Sequence, residues 1–280
     1  MKVTFAIAPT SVRRLAAAML IFAAAQPAFA EQNVVRIGGT GIALAAMREI
    51  GASLPAVEPG IEVEVLPSMG TPGGIKALAE GAINIAVVAR PLKADEQAKG
   101  IREAACMTTA LVFVSSHKAA TGVTRAQLPS LYADTRPNWP DGAPLTVILR
   151  SRSGSENPYL VAAVPAMGPA LEAAFKRPGQ PVASTDQDNA KLASQISGSL
   201  AMMTLLQLRA ERLDLTVLPF DGMMASWKTI VDNTYPFPIR ICLVTANKAA
   251  PAAVRFVAHL RSPAGKAVLE SFGTALAEQP

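Results

Sequence analysis

Val34-Val35-Arg36-Ile37-Gly38-Gly39-Thr40-Gly41 passes within eight residues from a short strand to a glycine corner, and an apolar helix continues from Ile42 to about Leu54. A strand, a glycine corner and a helix in that order form the βα unit from which parallel sheets are built. The next stretch repeats the unit. Ile61, Val63 and Val65 alternate with Glu62 and Glu64, which predicts a strand with one wet face. Ser68-Met69-Gly70-Thr71-Pro72-Gly73-Gly74 is a loop, Ile75 to Glu80 a helix, and Ile83 to Val88 a buried strand ending at Ala89-Arg90-Pro91. A polar helix is expected around Ala94 to Arg102, followed by an apolar run from Ala110 to Val114.

From Thr124 the pattern restarts. Thr124-Arg125-Ala126-Gln127 is a capping box opening a short helix to about Tyr132. Leu145 to Leu149 reads as a strand, Arg150 to Glu156 as a polar loop, and Asn157-Pro158 as a helix start. A helix over Asn189 to Ile196 precedes strands at Leu200 to Thr204, Thr216 to Leu218 and Ile239 to Val244, and two helices follow, the second capped by Ser262. Repeated βα units without an internal repeat give an α/β class with largely parallel sheets.

Half of the 280 residues are hydrophobic and 17% are charged, which excludes a disordered chain. Aromatic residues make up only 5%, which argues against a stacking platform for single-stranded nucleic acid. The isoelectric point near 9.4 owes much to the N-terminus. Lys2, Arg13 and Arg14 precede an apolar run from Leu15 to Ala25, and Ala28-Phe29-Ala30 is a small-x-small cleavage pattern directly before Glu31. This is the layout of a secretory signal peptide over residues 1–30, with cleavage between Ala30 and Glu31, and the apolar run is too short to span a bilayer comfortably. Without those residues the balance falls to 23 basic against 21 acidic side chains. No basic block of the kind that binds nucleic acid remains.

Two cysteines, Cys106 and Cys242, lie near apolar strand-like runs. An exported chain could pair them, and buried free thiols fit the same surroundings. His117 and His259 are isolated and expected at the surface, and without a Cys-x-x-Cys no metal-binding spacing exists. No Gly-x-Ser-x-Gly elbow is present, so an exported phosphohydrolase is the weakest of the functional readings.

The informative feature is where small polar residues fall. Gly39-Thr40-Gly41, Ser68 with Gly70 and Thr71, and Ser153-Gly154-Ser155 each sit between a strand and a helix. Such loops lie at the carboxyl ends of parallel strands, where open α/β sheets bind ligands. They expose unpaired N–H groups at a helix N-terminus, glycine lets the backbone approach, and Ser or Thr adds a hydroxyl. Arg90 and the pair Arg150/Arg152 lie beside them and could add bidentate contacts. If the loops converge, the natural occupant is a small oxyanion. A dinucleotide is disfavoured, because Leu44 stands where the third small residue of that fingerprint belongs.

In this order and spacing the chain resembles the phosphate-binding, substrate-binding proteins of bacterial ABC importers, which are type II periplasmic binding proteins. The resemblance covers nearly all of residues 31–280. It is carried by Gly38–Gly41, by Ser68-Met69-Gly70-Thr71-Pro72-Gly73-Gly74, and by the strand Ile85 to Val88 ending in Ala89-Arg90-Pro91-Leu92. Trp139-Pro140-Asp141-Gly142 then leads into Arg150-Ser151-Arg152-Ser153-Gly154-Ser155-Glu156-Asn157. Asp221-Gly222, Tyr235-Pro236-Phe237-Pro238 and Ser262-Pro263-Ala264-Gly265-Lys266 follow in family order.

The resemblance implies two α/β lobes joined by two crossing segments near Val114–His117 and Pro236–Arg240. Lobe one would comprise residues 31–115 and 239–280, and lobe two residues 116–238. The implied function is capture of a small oxyanion, phosphate first, in the cleft between lobes, for delivery to an ABC transporter membrane permease. No catalysis, cofactor, metal or nucleic acid is expected, and the exported chain is expected to act as a monomer in the periplasm or outside the cell. The expected ligand-binding residues are Gly39, Thr40, Gly41, Ser68, Gly70, Thr71, Arg90, Arg152, Ser153, Gly154, Ser155, Glu156 and Asn157. Two departures bear on the ligand. Glu156 and Asn157 replace the family's usual Gly-Thr, and Ala89 leaves no carboxylate beside Arg90 to accept a ligand proton. Glu156 could take that role, repel any anion, or bind a hydroxyl or amine of an organic or carboxylated solute.

Overall fold

Ile85-Ala86-Val87-Val88 is buried at every position, as a run of apolar residues without alternation must be when helices cover both faces of a sheet. The computed structural model describes residues 33–277 together with residues 1, 2 and 4. The apolar run and cleavage site of the expected signal peptide therefore lie outside the described residues. Among those described, no helix is long and apolar enough to cross a membrane.

The first part contains β1 (Val34–Gly39), α1 (Leu44–Ser53), β2 (Glu62–Val65), α2 (Gly70–Ala79) and β3 (Ile85–Val88). Strands β2 and β3 flank β1, both parallel to it. Then come α3 (Ala94–Ala98), β4 (Ile101–Ser115), α4 (Leu128–Ala133), β5 (Thr146–Val147), β6 (Leu149–Arg150), α5 (Glu156–Ala163), α6 (Met167–Phe175) and β7 (Val182–Ala183). The remainder is α7 (Asp186–Gln195), β8 (Ser199–Thr204), α8 (Leu205–Ala210), β9 (Thr216–Leu218), α9 (Trp227–Val231), β10 (Pro238–Ala246), α10 (Pro251–Arg261), α11 (Pro263–Ser271) and β11 (Ala275–Leu276).

β4 ties the molecule together. Its residues 101–110 pair antiparallel with β10, and Thr108 and Met107 also face β11. From Leu111 onward it changes partners, pairing antiparallel with β8 and β9. The strand order is β2-β1-β3-β10-β4-β8-β5, with β6 and β7 forming a small parallel pair alongside. The result is a two-lobed α/β fold of the type II periplasmic binding class. Where the partners change, the Leu111 amide donates to Phe237 O at 2.9 Å, and the Tyr235 hydroxyl donates to Leu111 O at 3.1 Å.

Several sequence expectations are corrected. The helix expected from Ile75 starts at Gly70, inside the stretch read as a loop to Gly74. The helix expected over Ala94 to Arg102 stops at Ala98, because Gly100 takes a φ of 80°. Arg102 and Glu103 instead open a strand fifteen residues long that includes the apolar run at Ala110. The helix expected at Asn189 starts three residues earlier, capped by Thr185. The Thr185 hydroxyl accepts from Asp188 N at 3.0 Å, and Asp188 Oδ2 accepts from Thr185 N at 3.1 Å. The helix expected at Asn157 starts at Glu156. His259 is buried, with Nε2 lying 2.7 Å from the Ser53 hydroxyl where the ends of α10 and α1 meet.

The two cysteines, for which pairing and free thiols both stood open, form a disulfide. Cys106 on β4 and Cys242 on β10 face each other in register, with Cα atoms 4.1 Å apart.

Candidate functional site

The glycine corner at the end of β1 is built by close packing. Gly39 has a φ of 120°, and a Cβ there would lie 2.2 Å from Val87 O. A Cβ on Gly74 would lie 2.6 Å from Gly39 Cα, so the first turns of α2 press directly on the corner. Only glycine permits both approaches. Hydrogen bonds then fix the loops to one another. Thr40 N donates to Val87 O at 3.0 Å and Met69 N donates to Gly39 O at 3.0 Å. Ala89 N donates to the buried Thr71 hydroxyl at 3.1 Å. The expected loops at Gly39–Gly41 and Ser68–Thr71 thus meet at the carboxyl ends of β1 and β3. Ser68 and Gly70 are half-buried on the rim of this corner.

The third loop joins the first through one side chain absent from the expected set. Asp186, the first residue of α7, is buried, and Gly41 N donates to its Oδ2 at 2.7 Å. The Thr40 hydroxyl donates to the same oxygen at 3.2 Å. Arg150, at the end of β6 and also buried, donates from Nη2 to Asp186 Oδ1 at 2.7 Å. Its Nη1 donates to Thr185 O. A backbone amide and a hydroxyl from the β1 corner and a guanidinium from the end of β6 therefore converge on one carboxylate. Below it, Gln207 Nε2 donates to Asp186 O at 3.1 Å, and Gln187 Nε2 donates to Gly41 O at 3.3 Å.

Glu156 lies on the other side of Arg150. It is buried, its Oε1 is 3.5 Å from Arg150 Nε, and its Oε2 has no hydrogen-bond partner. Burial pushes the Glu156 carboxyl above its ordinary range. Arg150 pulls the other way and the nearby Asp186 adds to the rise. Two buried carboxyl groups thus share one guanidinium.

The other expected residues divide. Gly154 sits beside this cluster, since a Cβ there would lie 3.1 Å from Glu156 Oε2. Asn157 Nδ2 donates to Ser151 O at 2.9 Å, bracing the loop. Ser153 is exposed, with its hydroxyl 3.3 Å from that of Ser151, and Ser155 is half-buried at the start of α5. Arg90 makes bonds of 2.9 and 2.6 Å to the two oxygens of buried Glu96. This partner holds the Glu96 carboxyl down to about 2. Arg152 is exposed, bonds Glu172, and lies over the Phe175 ring at 4.3 Å. Both arginines are thus engaged away from the Asp186 cluster.

A helix expected to start at Asn189 leaves Asp186 outside the expected set. Thr185-Asp186-Gln187-Asp188 does carry a capping pattern, which was the available signal for a residue in the first turn. Its partners Thr40, Gly41 and Arg150 are remote in sequence, so the contact itself had no local signature.

The arrangement offers three converging donors, which together suit a small anion with at least two acceptor oxygens. Among solved structures, the chain superposes on a Clostridium perfringens protein described as a phosphate ABC transporter substrate-binding protein with bound phosphate. The TM-score is 0.72 at 17% identity, covering 88% of this chain and all of the other. A Vibrio cholerae ABC-type phosphate transport receptor gives 0.59 at 17% identity, over 87% of this chain and all of that one. A reduced form of OxyR from N. meningitidis gives 0.59 at 10% identity, over 88% of this chain and all of the other. At these identities the likeness concerns the fold alone. No curated protein matches the sequence. A family profile described as a PBP superfamily domain matches residues 24–269. By that match, with the two-lobed fold in agreement, the chain belongs to the PBP superfamily.

Proposed function

We propose that this chain is an exported solute-binding protein that captures a small oxyanion, phosphate first, between its two lobes and delivers it to an ABC importer. The observation that carries the reading is the convergence of Gly41 N, the Thr40 hydroxyl and Arg150 Nη2 on a single carboxylate. Donors that hold one carboxylate in this way are placed to hold another oxyanion. The names of the Clostridium and Vibrio structures support phosphate as the first candidate.

In this reading the lobes are residues 31–115 with 239–280, and residues 116–238, with β4 and the segment before β10 crossing between them. Thr40, Gly41 and Arg150 form the cradle. Gly39, Ser68, Gly70, Thr71, Ser153, Gly154, Ser155, Glu156 and Asn157 surround it. Arg90 and Arg152 would reach the ligand only by leaving Glu96 and Glu172. The chain performs no chemistry on its ligand, residues 1–30 direct its export, and it works as a monomer with a membrane permease as partner.

A second reading is favoured by the unpartnered Glu156 Oε2. That oxygen suits a ligand with a hydroxyl or amine donor, so an organic or carboxylated solute is the alternative occupant. A thermal-shift screen with phosphate, sulfate, phosphonates and organic acids separates the two, because a bound ligand raises stability by mass action. Phosphate should give the largest shift. A shift with organic acids only would transfer the site to the second reading.

A further inference from the structure

We infer that Asp186 is a resident anion of the cradle, so that a captured oxyanion must displace it. The inference rests on the reading of this cleft as an oxyanion site. Asp186 Oδ2 takes the Gly41 amide and the Thr40 hydroxyl, while Oδ1 takes Arg150 Nη2. The carboxylate therefore uses the donors from both sides of the cleft that an incoming oxyanion needs.

Asp186 is not required to cap its own helix. The Thr185 hydroxyl and Asp188 already form that cap, so the Asp186 side chain is free to reach across to residues 145 and 146 positions earlier in the chain. Arg150 also has a second carboxyl neighbour in Glu156, whose Oε1 lies 3.5 Å from Nε. When Asp186 leaves, the guanidinium keeps this carboxyl group beside it, and the incoming oxyanion replaces the charge of Asp186. Exchange of one anion for another spares the cradle an uncompensated charge in a buried place.

Two consequences follow. Asp186 competes with the ligand, and the affinity of the native chain is reduced by the fraction of molecules in which the cradle is occupied from within. Asp186 also clasps the β1 corner to α7, so it biases the lobes toward closure before any ligand arrives.

The test uses the exported chain with Asp186→Ala, and Asp186→Asn as the variant that keeps the shape of the side chain. Amide hydrogen exchange at Gly41 is followed by NMR, and inorganic phosphate is titrated by calorimetry. The expected result is that Gly41 exchanges faster in Asp186→Ala, that phosphate restores its protection, and that phosphate binds roughly tenfold or more tightly than to the native chain. Unchanged Gly41 exchange overturns the clasp. Faster exchange with unchanged or weaker phosphate binding overturns the competition, and makes Asp186 a ligand-holding group instead. Faster exchange with no binding of phosphate, sulfate or acetate to the emptied cradle overturns the oxyanion reading itself. If Asp186→Ala does not fold, the same three outcomes are read from Asp186→Asn.

Discussion

Arg150 serves two buried carboxyl groups at once, and its removal would leave Asp186 without a counter-charge. Breaking a buried ion pair from one side is far costlier than losing a surface pair, on the order of 3–5 kcal/mol. Arg150→Met should therefore lower the urea midpoint strongly, whereas Arg152→Ala, at an exposed pair, should change stability by less than about 1 kcal/mol. Glu156 behaves in the opposite sense to an ordinary surface acid. Its folded carboxyl holds its proton above the value of 4.5 it has when unfolded, chiefly through burial. A raised carboxyl means that the native state binds more protons than the unfolded one as pH climbs past that value. Stability is then fullest below 4.5 and declines as pH rises through the raised value. Glu156→Gln, which cannot ionise, should flatten that decline in a series of melting curves. An unchanged slope would mean that the Glu156 carboxyl is ionised and well compensated in the native protein.

Among the elements, β4 shows where local sequence stops being informative. Arg102-Glu103 interrupts the apolar pattern and suits a helix, yet nine residue pairs with β10 hold it extended. Tertiary pairing overrides a weak local preference in such places. The corner at Gly39 was legible because strand, glycine and helix are adjacent in the chain, and the close approach to Val87 demands the glycine. The loop at Arg150 was legible as a polar segment, but which arginine faces inward was not. Arg150 and Arg152 are two apart on a chain entering a loop, and only the position of α7 selects the first. Asp186 was illegible for the same reason: a cap pattern locates the helix end but not what its first side chain meets 145 residues away. The disulfide also depends on register, because Cys106 and Cys242 are separated by 136 residues. Closing so long a loop in the unfolded chain should contribute about 4–5 kcal/mol. The double variant Cys106→Ser with Cys242→Ser should lose that amount in denaturant unfolding while keeping its fold, as its circular dichroism will report.

At the scale of the whole molecule, the two-lobed architecture follows from one strand changing partners midway, and the proposed cradle lies where the β1 corner meets Arg150 and Asp186. The fold was legible in the repeated βα units and in their order. The candidate site was less so, because its buried carboxyl groups come from positions whose contacts are set only by the tertiary packing. The central claim is that Thr40, Gly41 and Arg150 form an oxyanion cradle. Its most direct test is a calorimetric titration of inorganic phosphate into the Asp186→Ala chain with and without Thr40→Ala, so that the lost Thr40–Asp186 bond does not offset the lost bond to the ligand. A single saturable site is expected, weakened by Thr40→Ala by about 0.5–1.5 kcal/mol for the lost hydroxyl bond. Saturable binding that is indifferent to Thr40→Ala, or no binding of phosphate to either protein, would contradict it.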